Sequence, residues 1–263
     1  MGYRPADRDR LAAVFGRTGV ADAYRHRPPY PPEVFDILER IIADRPRRVL
    51  DLGAGDGALA RPLAARVDHV DALDISPAMV EAGRRQPGGE RRNLRWIVGA
   101  AETAELAGPY ALVTAGASLH WMSWAPTLAR LAEAMTDHAV LAIVEHGPYD
   151  LPWRAELAEV IARHSRSPGY DPGFRLPDAL AAEGLFEITG RATTAPMSFR
   201  QPVESFVEQF HSTASLAREW MSGEESAAFD QAITDIVASR AVGGVLEMDV
   251  VAHLAWGRPT TQT

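Results

Sequence analysis

The amino-acid sequence predicts an α/β fold, a largely parallel sheet with helices on both faces. Five short apolar segments, Arg48–Leu52, His69–Asp74, Leu94–Val98, Ala111–Ala115 and Ala139–Glu145, alternate with stretches of helical periodicity. That is the pattern of strands joined by crossover helices. The first segment runs directly into Gly53-Ala-Gly-Asp-Gly57, a strand-to-helix turn where backbone can approach a ligand closely.

In chain order, Ala12–Tyr24 and Pro32–Ala43 read as helices around a stiff turn, His26-Arg-Pro-Pro-Tyr-Pro31. Val34, Ile37, Leu38 and Ile41 share one face of the second helix. Ala58–Arg66 is helical, with Pro62 tolerated near its first turn. Ser76 caps a helix over Pro77–Arg85, with proline at its first position. Trp124–Ala134 is the helix before the fifth strand. The rhythm then changes: helix Asp178–Ala182, strand Phe186–Ala195 and a last strand Val245–Trp256 make a hairpin-like pair separated by about fifty mainly helical residues. In that stretch Ser222-Gly-Glu-Glu225 resembles a capping box, and Phe229, Ile233, Ile236 and Val237 form an apolar stripe.

The expected organisation is one domain over 1–263, with no internal repeat. An N-terminal helical segment covers 1–32, the core about 33–195 and 244–256, and a helical lid insertion about 196–243. The segment Pro148–Phe174 is expected to join the lid, whose stripe should bury against the ligand edge of the sheet.

With 263 residues, 46% hydrophobic and 24% charged, the chain can bury a full core. Its apolar runs fall short of the ~18 residues a membrane span needs, and the first thirty residues lack an apolar signal region. A cytoplasmic protein is expected. The absence of cysteine excludes disulfides and thiolate chemistry. All 27 basic residues are arginine, which excludes Schiff-base lysine and a P-loop lysine. The net charge of −8 argues against nucleic acid as a partner. His138, His146, His164 and His253 have no metal-ligand spacing, so no metal is expected.

Gly53-x-Gly55-x-x-Ala58 also satisfies a dinucleotide fingerprint, and Asp74 lies 21 residues beyond Gly53, where a ribose-binding acid belongs. Asp51 discriminates. An acid immediately before the loop disfavours a pyrophosphate and favours a ligand carrying ammonium or sulfonium charge.

Val49-Leu-Asp-Leu-Gly-Ala-Gly-Asp-Gly57 resembles motif I of class I S-adenosylmethionine-dependent methyltransferases. Val70-Asp-Ala-Leu-Asp-Ile-Ser-Pro-Ala-Met-Val80 is similar to the next motif, Val98-Gly-Ala-Ala-Glu102 to the third and Leu112-Val-Thr-Ala-Gly-Ala-Ser-Leu-His-Trp121 to the fourth. The resemblance covers about residues 20–145. Tyr24–Pro31 and Leu119-His-Trp121 point to the branch of small-molecule enzymes that includes trans-aconitate methyltransferases. It implies a Rossmann-like, seven-stranded sheet with an antiparallel last strand, and S-adenosyl-L-methionine as cofactor. The implied cofactor residues are Tyr24, Arg27, Asp51, Gly53, Ala54, Gly55, Asp74, Ile75, Met79, Ala101, Glu102, Ala115 and Gly116. Ala100 replaces the adenine-binding aspartate of many members, leaving that role to the Ala101 amide and Glu102.

Methyl transfer from a sulfonium asks the protein to position the acceptor, exclude water and manage one proton. His120, after the fourth strand, is the candidate base, or else a positioning histidine. Tyr30, Trp121, Trp153, Phe210 and His211 are candidates for the acceptor pocket, each also explicable as packing. The expected activity is transfer to oxygen or nitrogen of a small molecule, by a monomer or homodimer. The rivals are a tRNA or protein methyltransferase, a nicotinamide oxidoreductase, and a cofactor-binding protein without transfer.

Overall fold

The computed structural model describes residues 18–166 and 173–260, so the expected helical residues before Thr18 lie outside the described part. Its helices are α1 (Thr18–Tyr24), α2 (Glu33–Arg40), α3 (Ala60–Leu63), α4 (Pro77–Arg85), α5 (Trp124–Ala134), α6 (Arg154–His164), α7 (Leu176–Ala182), α8 (Val203–Glu208) and α9 (Gly223–Ala238). Its strands are β1 (Arg48–Leu52), β2 (His69–Asp74), β3 (Leu94–Val98), β4 (Tyr110–Gly116), β5 (Met135–Tyr149), β6 (Phe186–Thr193), β7 (Met197–Pro202) and β8 (Val245–Pro259).

The chain divides into two compact units. Among the described residues, the sheet unit comprises 30–146, 175–195 and 252–260, and the helical unit 18–29, 147–166, 173–174 and 196–251. The insertion expected at about 196–243 shares its unit with the described residues of the segment after 147.

In the sheet unit, β1 to β5 pair in parallel in the order β3-β2-β1-β4-β5, followed by β8 and β6. β6 runs antiparallel to β8, from Phe186↔Pro259 to Thr193↔His253. β1 and β4 are buried almost throughout, because each has a strand on both sides and helices on its faces. α2 buries Val34, Phe35, Ile37 and Leu38 against them, the face its spacing predicts.

The helix after the glycine loop and the stretch after 196 depart most from expectation. α3 spans four residues rather than nine, although Arg61 N→Gly57 O, Leu63 N→Leu59 O and Val67 N→Leu63 O are helical bonds. Pro62 has no N–H to continue that ladder. The stretch after 196 begins with a strand, not a helix: β7 pairs antiparallel with β8 from Met197↔Val250 to Pro202↔Val245. The sheet therefore has eight strands where seven were expected. Between β6 and β7 the Thr194 hydroxyl accepts the Ala252 amide at 3.0 Å, where regular pairing is interrupted.

The helical unit has its own core of Trp153, Leu157, Val160, Phe206, Leu216, Phe229, Ile233, Val237, Leu246 and Met248. The stripe on α9 is spent inside this core, which corrects the expectation that it covers the sheet's ligand edge. The capping box is formed: Ser222 Oγ accepts Glu225 N at 3.1 Å, and Glu225 Oε2 accepts Ser222 N at 2.9 Å. Among the described residues no helix is long and apolar enough to cross a membrane, and no cluster could hold a metal ion.

Candidate functional site

Strand order reverses at β1, which has β2 on one side and β4 on the other. In open α/β sheets such a switch point opens a crevice at the carboxyl ends of the strands. Here that crevice is bounded by the glycine loop after β1, the end of β2 and the turn after β4.

Gly53, Gly55 and Gly57 have φ of +67°, +58° and +80°, conformations that cost a side-chain-bearing residue about 1 kcal/mol or more. A Cβ on Gly53 would lie 2.5 Å from Ser118 Cβ, and one on Gly57 2.5 Å from the Trp96 ring. The loop's amides are already engaged. Gly53 N and Ala54 N donate to Leu73 O at 2.8 and 2.9 Å, Gly55 N to Asp74 Oδ2 at 2.7 Å, and Gly57 N to Ala54 O at 2.8 Å. A pyrophosphate needs such amides free, and Asp51, Asp56 and Asp74 would repel it.

Asp51, 1% exposed, stands opposite Thr114 in the β1–β4 register. Its Oδ1 accepts the Thr114 hydroxyl at 2.8 Å, and its buried Oδ2 has no hydrogen-bond partner among the described residues. Burial pushes the carboxyl up to about 7, against the Thr114 hydroxyl and the Ala60 amide, which favour the charged form. Asp74 Oδ1 accepts Ser76 N at 2.8 Å while Oδ2 holds Gly55 N. Each oxygen keeps a lone pair for a further donor. Burial raises this carboxyl too, and those two amides oppose the rise.

Beside Asp74 the edge becomes apolar. Ile75 is 60% exposed, and Val98, paired with Asp74 across β2 and β3, is 52% exposed. Met79 is buried on α4, its amide taken by Ser76 Oγ at 3.2 Å in the predicted cap. Ala101 is buried, and its carbonyl accepts Arg130 at 2.7 Å. Glu102 accepts the Ser123 amide at 2.8 Å, at the start of α5.

At the end of β4, Ala115 is buried and Gly116 admits the Tyr30 hydroxyl, which would lie 2.5 Å from an added Cβ. Tyr30 is buried against His146, with ring centroids 3.9 Å apart. Ala117 has φ of +49°, left-handed backbone in a residue with a side chain. Such strain concentrates where function fixes a turn. The Ser118 hydroxyl donates to Leu52 O at 2.5 Å, tying this turn to the end of β1. His120 and Trp121 follow on a single helical turn, partly exposed, with ring centroids 4.9 Å apart.

Tyr24, Arg27, Trp153, Phe210 and His211 belong to the helical unit. Arg27 donates to Ser212 Oγ at 2.7 Å, to Ser212 O and Tyr24 Oη at 3.2 Å, and lies over the Tyr24 ring. His211, 2% exposed, is held between Leu216 O at 2.8 Å and Asp230 Oδ1 at 2.7 Å. Phe210 packs edge-on against Phe206 and Phe229, and Trp153 lies in the unit's core.

Sequence reasoning missed Thr114, Ala117 and Ser118. The signal for Thr114 was a hydroxyl inside an otherwise apolar strand, Tyr110-Ala-Leu-Val-Thr-Ala-Gly116. The other two carried none, since a left-handed alanine and a hydroxyl tying two strand ends arise only from packing.

Residues 49–139 match a family model described as a methyltransferase domain. The trans-aconitate 2-methyltransferase of Mycobacterium sp. (strain KMS) is 34% identical over 137 residues, 51% of this chain and 52% of that protein. The chain spans about half the length of the curated relatives it matches. Among solved structures, one from Anaeromyxobacter dehalogenans, described as a type II methyltransferase, gives a TM-score of 0.61 at 21% identity, covering 88% of this chain and 97% of that one. A methyltransferase of Geobacter sulfurreducens, crystallised with S-adenosyl-L-homocysteine, gives 0.55 at 17% identity, covering 92% and 97%. The fold is the Rossmann-like fold these proteins share.

Proposed function

We propose that the chain is an S-adenosyl-L-methionine-dependent methyltransferase acting on oxygen or nitrogen of a small molecule in specialised-metabolite biosynthesis. The observation that carries this reading is the left-handed glycine loop between buried Asp51 and the Asp74 carboxylate, with its amides engaged and its charge negative. The pairing of these features suits a nucleoside with a cationic tail and not a dinucleotide, which disfavours the oxidoreductase reading.

The residues fit such a ligand. Asp51 would hold its positive end, with Gly53, Ala54, Gly55, Ala115 and Gly116 allowing close approach. The free lone pairs of Asp74 suit ribose hydroxyls, and exposed Ile75 offers an apolar face to the base. Ala101 and Glu102 are the candidates for the base's polar edge; Glu102 accepts the Ser123 amide through Oε1 and keeps lone pairs for a further donor. When bound, S-adenosyl-L-methionine supplies an activated methyl group. His120 accepts the acceptor's proton at an imidazole nitrogen, and Trp121 and Tyr30 contribute acceptor contacts. Tyr24, Arg27 and His211 are bound to partners inside the helical unit, and neither they nor Phe210 and Trp153 are assigned a step.

Incubation with methyl-labelled donor and a panel of carboxylic acids (trans-aconitate first), phenols and amines tests the activity. Label should appear in a small molecule and not in added tRNA or protein. In His120→Ala, turnover should fall by roughly 10²–10⁴ with cofactor affinity similar. An unchanged rate would remove His120 as base.

A further inference from the structure

We propose that Thr114 is a positioning residue, whose hydroxyl orients the charged form of Asp51 and thereby sets the pH range over which the glycine loop binds a cationic ligand. The inference rests on the cofactor reading above and extends it to a residue outside the glycine loop.

Parallel pairing places Asp51 and Thr114 directly opposite each other on β1 and β4, both buried. A threonine hydroxyl has one hydrogen to give, and here it is given to Asp51 Oδ1 at 2.8 Å. Oδ1 is thereby tied to the strand interior. Oδ2 is left buried and without a hydrogen-bond partner among the described residues, at the end of β1 where the glycine loop departs. A buried carboxylate with one oxygen held and one unsatisfied is an acceptor awaiting a donor, and an ammonium satisfies both its charge and its lone pair.

Among the described residues, the charged groups acting on Asp51 include two acids, Asp74 at the end of β2 and Asp56 in the loop, the latter 3.6 Å from Arg61 on α3. Both oppose ionisation of Asp51, as burial does. The Thr114 hydroxyl favours the charge, and the Ala60 amide does so less. Without the hydroxyl, Asp51 stays protonated to higher pH, and a neutral carboxylic acid offers little to a cation. Valine at 114 would keep the shape and the strand propensity while removing the hydrogen bond.

The test follows Asp51 directly in the ligand-free protein, by carbon NMR of labelled aspartate carboxyls assigned with Asp51→Asn. In Thr114→Val the Asp51 titration midpoint should rise by about one to two pH units, and Thr114→Ser should restore it. Calorimetry with S-adenosyl-L-homocysteine gives the second readout. Its Kd should rise about tenfold from pH 8 to pH 6 in the unsubstituted protein. In Thr114→Val the Kd should already be about two- to tenfold weaker at pH 8, with serine again restoring it. An Asp51 titration unmoved by Thr114→Val, or a Kd–pH profile that superimposes on the parent's, overturns the proposal. A shifted titration in a protein that binds no S-adenosyl-L-homocysteine at any pH overturns the cofactor reading instead and leaves Thr114 as the residue that tunes Asp51.

Discussion

Asp51 shows how one buried residue can cost the fold stability. Its carboxyl moves from an ordinary 3.8 to about 7 on burial. Between those values the folded chain holds a proton that the unfolded chain has released, so stability is lost as pH rises through the window and the loss is complete above it. Asp51→Asn should therefore gain on the parent by about 2–3 kcal/mol between pH 5 and pH 8. Denaturant titrations at the two pH values would show it, and equal differences at both would refute it. Gly57 makes a purely steric prediction. Its φ of +80° and the Trp96 ring 2.5 Å from an added Cβ mean that Gly57→Ala should destabilise by about 1–3 kcal/mol. A stability equal to the parent's would show that the loop does not need its left-handed form.

Among the elements, what was legible followed pattern strength. β1, β2, β3, α4 and α5 fall where apolar runs and caps predict them, because each is closed by a local signal such as Gly53, Ser76 or the polar turn before Trp124. β7 was hidden for physical reasons. Prolines bracket it at 196 and 202, and its inward Gln201 breaks the apolar alternation, a polar residue tolerated because its amide bonds His26 O. β5 begins earlier than its apolar run because Asp137 and His138 lie on an exposed part of the strand. At the site, Asp51, the glycines and Asp74 were readable from spacing. The use of Glu102 to hold Ser123 and of His211 to hold Asp230 depends on distant partners and was not. The capping box of α9 was readable, and Ser222→Ala should cost about 1 kcal/mol. Thermal denaturation read by helix signal would detect it.

At the scale of the whole molecule, the sheet unit and the helical unit each bury a core of their own. Phe229, fully buried in the second, should cost about 3–5 kcal/mol on truncation to alanine. Hydrogen exchange should then show lost protection in α9 and α6 before β1 and β2, and uniform loss would contradict separate cores. The central claim is that the switch point of the sheet holds S-adenosyl-L-methionine through Asp74. Calorimetric titration of the parent and Asp74→Ala with S-adenosyl-L-homocysteine tests it most directly. The account predicts saturable one-site binding, weaker by about 1.5–3 kcal/mol in the variant. Equal affinity in the two proteins, or binding of a nicotinamide dinucleotide in its place, would contradict it.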